Sequence, residues 1–191
     1  MPATEETSRL NVLAFAGSLR RDSYNRALVR AAVELAPNGM AVTVFDIAEV
    51  PLYDGDVEEA GDPEGVARFK QAIATADGVI MATPEYNHGV PGVMKNAIDW
   101  ASRPPRGAVL ARKPVAIFGA SPGITGTARG QSQLRQAFTF TESYCMPQPE
   151  VLVFRANEKF DAEGRLTDER TRQGVARFLT AFADWVRHCQ R

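Results

Sequence analysis

The sequence is poor in cysteine and histidine, with two of each among 191 residues. Cys145 and Cys189 lie far apart and form no CxxC pair, which disfavours a disulfide framework and a redox dithiol. So few sulfur and imidazole ligands also disfavour a zinc-type metal centre. We therefore predict a protein of the reducing cytoplasm with no metal site.

Long apolar runs and a surplus of one charge are also missing. No apolar stretch approaches the roughly 18–20 residues that cross a bilayer, and the first ten residues, MPATEETSRL, do not resemble a signal peptide. The 22 basic residues nearly balance the 23 acidic ones. This balance predicts no membrane or nucleic-acid partner, and it disfavours an electron carrier that docks through an acidic face.

Short apolar runs alternate with stretches of helical period, which is typical of a parallel sheet covered on both faces. We predict that residues 1–191 form one doubly wound α/β domain with strand order 2-1-3-4-5, a polar hairpin at 157–168 and a disordered tail at 1–8. The predicted strands are 10–16, 41–46, 78–83, 114–120 and 150–154. Helical periodicity is clearest at 28–35, 62–73, 93–102 and 175–186.

The loop after the first strand, GSLRRDSYN (17–25), runs directly into a helix. In such a fold ligands bind beyond the carboxyl ends of the strands, and a helix start offers unpaired amides to an anion. Ser18, Ser23 and Asn25 add neutral donors here, and Arg20 adds a cationic one. The loop lacks GxGxxG and Gly-Lys-Ser/Thr, which disfavours a dinucleotide fold and phosphoryl transfer. We predict a phosphate monoester site. The alternative is a capped helix start whose polar side chains bind no ligand.

The loop after the third strand, PEYNHGVPG (84–92), contains two prolines and two glycines. This composition indicates a fixed, exposed backbone that could present amides and the Tyr86 ring to a flat heterocycle. The next helix, 93–102, is apolar on more than one side, which predicts a second buried face at a subunit interface that includes Trp100. Lys95 and Asp99 are predicted to form an exposed pair on it.

The loop after the fourth strand, 119–127, is rich in glycine and other small residues, which allows a ligand or another part of the protein to approach its backbone closely. His88 is the one histidine in these loops, and a contact or rim role is favoured over catalysis. His188 is predicted to be exposed. Tyr53 is assigned equally to surface packing or to contact with a neighbouring subunit.

Three segments together resemble the NADPH-dependent FMN reductase family: GSLRRDSYN, TPEYNHGVPGVMKNAIDWASRP and ASPGITGTARGQSQLRQ. They occur in the family's order and extend the resemblance over nearly the whole chain. The resemblance implies a flavodoxin-like fold, FMN as cofactor and NAD(P)H as co-substrate. It also implies a small acceptor, such as a quinone, free flavin or an azo compound, and a homodimer or homotetramer with flavin at the dimer interface.

The resemblance also implies the site residues. The phosphate would be held by the first loop, at Ser18, Leu19, Arg20, Ser23, Tyr24 and Asn25. The ribityl chain and the ring would be lined by Pro84, Glu85, Tyr86, Asn87, His88 and Ser121. Hydride transfer at flavin N5 in ping-pong order needs no indispensable catalytic side chain. Thr127 departs from the pattern, because many relatives have adjacent glycines there.

Three alternatives remain beside an FMN-dependent reductase. The first is a non-enzymatic carrier of the flavodoxin kind. The second is a hydrolase using Ser18 or Ser121, which the lack of a GxSxG elbow disfavours. The third keeps the family but treats FMN as a diffusing substrate. The sequence leaves open the acceptor, the choice between NADPH and NADH, and the choice between dimer and tetramer.

Overall fold

The computed structural model describes residues 9–191, and the predicted tail at 1–8 lies outside them. The strands are β1 (Leu10–Ala16), β2 (Met40–Val44), β3 (Gly78–Ala82), β4 (Pro114–Ala120), β5 (Tyr144–Cys145) and β6 (Val151–Val153). The helices are α1 (Tyr24–Glu34), α2 (Gly55–Ala60), α3 (Glu64–Thr75), α4 (Gly92–Ala101), α5 (Ala128–Phe140) and α6 (Glu169–Cys189). None of these helices has both the length and the apolarity needed to span a membrane.

The strands form one parallel sheet in the order β2-β1-β3-β4, and β5 and β6 share the position beyond β4. This confirms the predicted order 2-1-3-4-5. The predicted last strand corresponds to β6, which pairs with the end of β4, while β5 pairs with its start. Between them lie Pro147 and Pro149, which have no N–H to donate to a ladder and so divide the outer strand into two pieces.

Helices cover both faces of the sheet, as a doubly wound fold requires. On one face α1 and α6 bury Leu28, Phe178 and Phe182 against the strands. On the other face α3, α4 and α5 bury a second apolar layer that includes Phe69 and Phe138. The two apolar layers explain why the central strands are apolar along their whole length.

Several boundaries differ from the predicted ones for local reasons. The segment before α3 is not a plain loop, because it contains a short 3-10 turn at Ile47–Glu49 and the helix α2. Helix α3 begins after Pro63, one residue later than expected, because Pro63 has an extended ψ of 152°. The polar excursion at 157–168 does form a hairpin, closed by an antiparallel bridge between Phe160 and Leu166, but both of these side chains are buried.

The second apolar face of α4 is covered by the chain itself. Trp100 is fully buried, and its Nε1 donates to Pro51 O at 2.9 Å. Asn96 contacts the segment Pro51–Tyr53 as well. Its Nδ2 donates to Pro51 O, and its Oδ1 accepts from Tyr53 N, both at 2.8 Å. The Tyr53 ring meets the Trp100 ring edge-on. Trp100 and Tyr53 are therefore packed within this chain, and the apolar surplus of α4 no longer argues for a subunit interface.

Replacing Trp100 by Phe tests this intrachain role. The variant loses the bond to Pro51 O and leaves a small cavity, so we expect a loss of about 2 kcal/mol in the free energy of unfolding. Urea denaturation measures it. The control is Lys95→Ala, which removes only the exposed Lys95–Asp99 pair of 2.6 Å and should cost at most about 0.5 kcal/mol. Equal, small losses in both variants would contradict the assignment.

Candidate functional site

The carboxyl ends of β1, β3 and β4 open into one cleft of about 350 Å³. These strands are neighbours, and their register continues past the strand ends, where Gly17 N donates to Ala82 O and Thr83 N to Phe118 O. The three loops predicted from the sequence therefore meet at one edge. The cleft is lined by Ser18, Arg20, Ser23, Tyr24, Asn25, Pro84, Glu85, Tyr86, Ala120, Ser121 and Pro122.

Nine of the twelve predicted site residues line this cleft. The three that do not are Leu19, Asn87 and His88, which are exposed at loop tips. Ala120 and Pro122 are lining residues that sequence reasoning missed, because small and apolar residues beside a strand end carry no chemical signal. Other hollows exist, and one along β6 and the start of α6 reaches about 520 Å³, but no two of the predicted loops meet there.

The first loop ends in a capped helix start that leaves several amides without a partner. Ser23 caps α1, because its Oγ accepts from Asn25 N at 3.2 Å, and Ser23 N donates to Arg20 O to close a tight turn. Five amides of the loop donate to no acceptor within residues 9–191: those of Ser18, Leu19, Arg21, Asp22 and Tyr24. Unpartnered amides at a helix start form an anion-binding concavity.

The side chains of this loop add donors of both kinds. Ser18 and Ser23 line the cleft and are only 4% and 5% exposed. The Arg20 guanidinium lies 5.9 Å from the centre of the Tyr24 ring and has no carboxylate partner in the part of the chain that the structure describes. Arg21 differs, because it is exposed and lies 3.6 Å from Asp22. Arg20 is thus the cation that this loop offers to a ligand.

Asn25 has a different position from the one expected of a ligand donor. Its Nδ2 donates to Ala120 O, and its Oδ1 accepts from Ala120 N, both at 2.9 Å. The side chain is only 3% exposed. Because both ends of the amide are engaged, Asn25 joins the start of α1 to the end of β4 and sets the spacing between the first and third loops.

The second loop contains a tight two-residue hairpin. Tyr86 and Gly89 exchange backbone hydrogen bonds of 3.1 and 2.9 Å, and the residues between them, Asn87 and His88, have φ of 51° and 63°. Two successive left-handed residues are typical of a type I′ turn, which holds its flanking residues rigidly. The Tyr86 ring, 55% exposed, is presented at the mouth of the cleft by this turn.

The Glu85 carboxylate is directed at helix α5. Its Oε2 accepts from Arg129 N and Gly130 N at 2.9 and 3.0 Å, and its Oε1 lies 3.6 Å from Arg129 Nη1. The acidic side chain is 7% exposed. Glu85 lines the cleft by its position in the loop, while its charge is compensated by the helix start.

In the third loop, Ser121 is held by Val153 O, to which its amide donates at 2.9 Å, and its Oγ accepts from Gly123 N. Thr127 has a left-handed φ of 75° and is fully buried. Its side chain occupies the space above Gly119, where any Cβ would collide with it. The departure from the family's glycine therefore fills the interior and does not narrow the cleft.

Other titratable groups stay outside the cleft. Burial raises the pKa of the Cys145 thiol above its ordinary value, so this cysteine is not poised as a nucleophile. His188 is exposed against Trp185, as predicted. Within residues 9–191 no three His, Cys, Asp or Glu side chains are grouped to hold a metal ion. The arrangement is suited to binding a molecule that joins a phosphate to an uncharged planar ring, rather than to acid–base chemistry.

Comparison with known proteins identifies the family of this chain. The family described as NADPH-dependent FMN reductase matches residues 10–158. The chain belongs to this family. An NAD(P)H-dependent FMN reductase of Pseudomonas aeruginosa is 47% identical over 178 residues, which cover 93% of this chain and 96% of that protein.

Further relatives are similar over nearly their full length. A quinone reductase of Escherichia coli (strain K12) is 41% identical over 183 residues, 94% of this chain and 97% of that protein. Among solved structures, the flavoenzyme NAD(P)H:(acceptor) oxidoreductase FerB of Paracoccus denitrificans superimposes with a TM-score of 0.86 at 37% identity. It covers 94% of this chain and 98% of its own.

Replacing Asn25 by Ala tests its bridging role. The variant leaves the buried N–H and C=O of Ala120 without partners, so we expect a loss of about 2–4 kcal/mol in the free energy of unfolding. Urea denaturation of the chain without cofactor measures it. Arg20→Ala is the control, because an exposed guanidinium without an ion pair should cost less than about 0.5 kcal/mol. A stable Asn25→Ala protein would show that the bridge is dispensable.

Proposed function

We propose that this chain is an FMN-dependent NAD(P)H oxidoreductase that passes electrons to quinones or similar small acceptors. Membership of the NADPH-dependent FMN reductase family supports this proposal, as do the FMN and quinone reductases among its relatives. The single observation that carries it in this structure is the first loop, which combines five unpartnered amides with Ser18, Arg20 and Ser23, and these three residues line one cleft.

The chemistry of this donor set fits the phosphate of FMN. A phosphate monoester is a dianion at neutral pH and accepts several hydrogen bonds at once. Ser18, Ser23 and Arg20 would hold it together with the amides at the start of α1. The one acid in the lining, Glu85, is turned to α5 and compensated there, so the cleft is lined by no free carboxylate.

The remaining lining fits a flat uncharged ring. Pro84, Tyr86, Ala120, Ser121 and Pro122 offer apolar surface, one aromatic ring and backbone groups, and the hairpin holds Tyr86 in place. Bound FMN would supply the two-electron redox chemistry. The described side chains form no group of metal ligands, and the two cysteines are free. The role of this chain is then to bind, orient and partly enclose the reactants. No indispensable acid or base is assigned, and His88 lies outside the lining.

Assembly and location complete the proposal. We propose a homodimer or homotetramer, as the family resemblance implies, in the cytoplasm, where the free Cys145 and Cys189 thiols would stay reduced. Leu19, Tyr86 and Ile124 are half or more exposed and lie in the three site loops, so partner contact would be expected beside the cleft. A monomeric mass by light scattering at micromolar concentration would contradict the oligomer without affecting the cofactor assignment.

Replacing Arg20 by Ala is expected to weaken FMN binding. A charge-assisted hydrogen bond contributes about 1.5–3 kcal/mol, so the Kd should rise about 10- to 150-fold. Quenching of FMN fluorescence on titration with the protein measures the Kd. The matched control is the neighbouring Arg21→Ala, because Arg21 is exposed and directed at Asp22. An unchanged Kd in Arg20→Ala, or equal changes in both, would refute the phosphate assignment.

A spectral titration tests the reaction itself. With the FMN-loaded protein kept anaerobic, NADPH or NADH is expected to bleach the flavin absorption band, and a quinone is expected to restore it. A band that either nicotinamide nucleotide leaves unchanged would favour a non-enzymatic carrier. Gel filtration before the titration separates bound FMN, which travels with the protein, from FMN that acts as a diffusing substrate.

A further inference from the structure

Helix α5 has an unusual N-terminus. Its N-cap residue, Thr127, has a left-handed conformation and supplies no side-chain cap. The Thr127 Oγ1 instead accepts from the Gln131 side chain inside the core. A helix start needs acceptors for its first amides, and those of Arg129 and Gly130 find theirs 44 and 45 positions earlier, in the Glu85 carboxylate. The cap of α5 is therefore provided by the second loop.

The contact between α5 and the second loop continues along the helix. Gln133 lies one turn further on, and its Oε1 accepts from Val90 N at 2.6 Å. A Cβ on Gly130 would lie 3.3 Å from Pro84 O and 3.4 Å from Gly89 O, which is a tight approach. A Cβ on Gly89 would lie 2.8 Å from Gln133 Oε1. The Tyr86–Gly89 hairpin thus rests closely on the first two turns of α5.

From these contacts we propose that Glu85 is a positioning residue, whose carboxylate caps α5 and thereby fixes the hairpin that carries Tyr86. The inference rests on the proposed FMN site for its consequence, since the hairpin forms one wall of the cleft. Its physical content is independent of the cofactor. The hydrogen bonds between the second loop and the start of α5 form this wall before any ligand binds. The charge of Glu85 acts on the helix rather than on the ligand.

The chemistry explains why an acid stands in a cleft suited to an anion. A carboxylate accepts two amides of a helix start and interacts favourably with the helix dipole. Gln at this position would still accept both hydrogen bonds but would lose the charge. Ala would leave both amides unpaired and free the hairpin on one side. These two variants therefore separate a cap from a charge that contacts the ligand directly.

The first test measures amide hydrogen exchange in the full-length chain without FMN. In Glu85→Ala we expect exchange at the Tyr86 and Gly89 amides to quicken about tenfold, because losing a cap of about 1.4 kcal/mol frees the hairpin. Glu85→Gln should stay within about threefold of the unsubstituted chain. Unchanged exchange at both amides in Glu85→Ala would overturn the proposal.

The second test measures the Kd for FMN by fluorescence quenching and the visible spectrum of the bound flavin. Glu85→Ala should weaken binding about tenfold, and Glu85→Gln should largely restore both the Kd and the spectrum. The control is Asp168→Ala, which removes the equivalent cap of α6, where the carboxylate accepts from Thr171 N at 2.9 Å away from the cleft. It should lower thermal stability and leave the Kd unchanged.

The outcomes separate the two proposals. If Asp168→Ala weakens FMN binding as much as Glu85→Ala, general loss of stability is the cause and the positioning role fails. If Glu85→Gln binds FMN as weakly as Glu85→Ala while its Tyr86 and Gly89 amides exchange as slowly as in the unsubstituted chain, the charge acts on the ligand and the positioning role fails. If the unsubstituted chain binds no FMN, the proposed function fails, while the exchange measurement still decides whether Glu85 holds the hairpin.

Glu85→Ala could also impair folding, so a milder variant completes the design. Gln133→Leu removes only the acceptor of Val90 N and leaves the α5 cap in place. Exchange at the Val90 amide should quicken, and FMN binding should weaken less than in Glu85→Ala. Equal weakening of FMN binding in Gln133→Leu and Glu85→Ala would show that the Glu85 cap adds nothing to the hold on the hairpin, which would overturn the proposal.

Discussion

Side-by-side parallel pairing of β1, β3 and β4 is the constraint on which the site depends. Parallel strands end at the same edge of a sheet, so this pairing brings together loops that begin at Gly17, Thr83 and Ser121 and are spread over about one hundred positions of the chain. The apolar layers on both faces hold the three strands in register. The donors of the first loop and the ring of the second can then face one cleft.

A second layer of polar contacts joins the loops to one another. Asn25 ties the first loop to the end of β4, and Glu85 ties the second to the start of α5. Both side chains are nearly buried and have their hydrogen-bonding capacity used within the chain. A cleft framed in this way leaves the Arg20 guanidinium and the hydroxyl protons of Ser18 and Ser23 for a ligand, while the Ser23 Oγ still caps α1.

Sequence reasoning located the site better than it assigned roles within it. The strand order followed from the pattern of a doubly wound fold, and most of the lining followed from unusual loop composition together with the family resemblance. The split of the outer strand at Pro147 and Pro149 did not follow, nor did the short helix α2, whose residues are all at least partly exposed. Trp100 was assigned to a subunit contact because a sequence cannot show that the Pro51–Tyr53 segment returns to cover its own helix.

The sequence by itself determined the fold class, the family and the loops in which chemistry occurs, because these depend on local pattern and on motifs that are contiguous along the chain. Only the tertiary structure decided which polar side chains face the cleft and which hold it together. Asn25 and Glu85 look like ligand donors in a linear motif, yet their partners, Ala120 and the amides of Arg129 and Gly130, are distant in sequence. A hydrogen bond depends on distance and direction in space, and the folded chain alone supplies these.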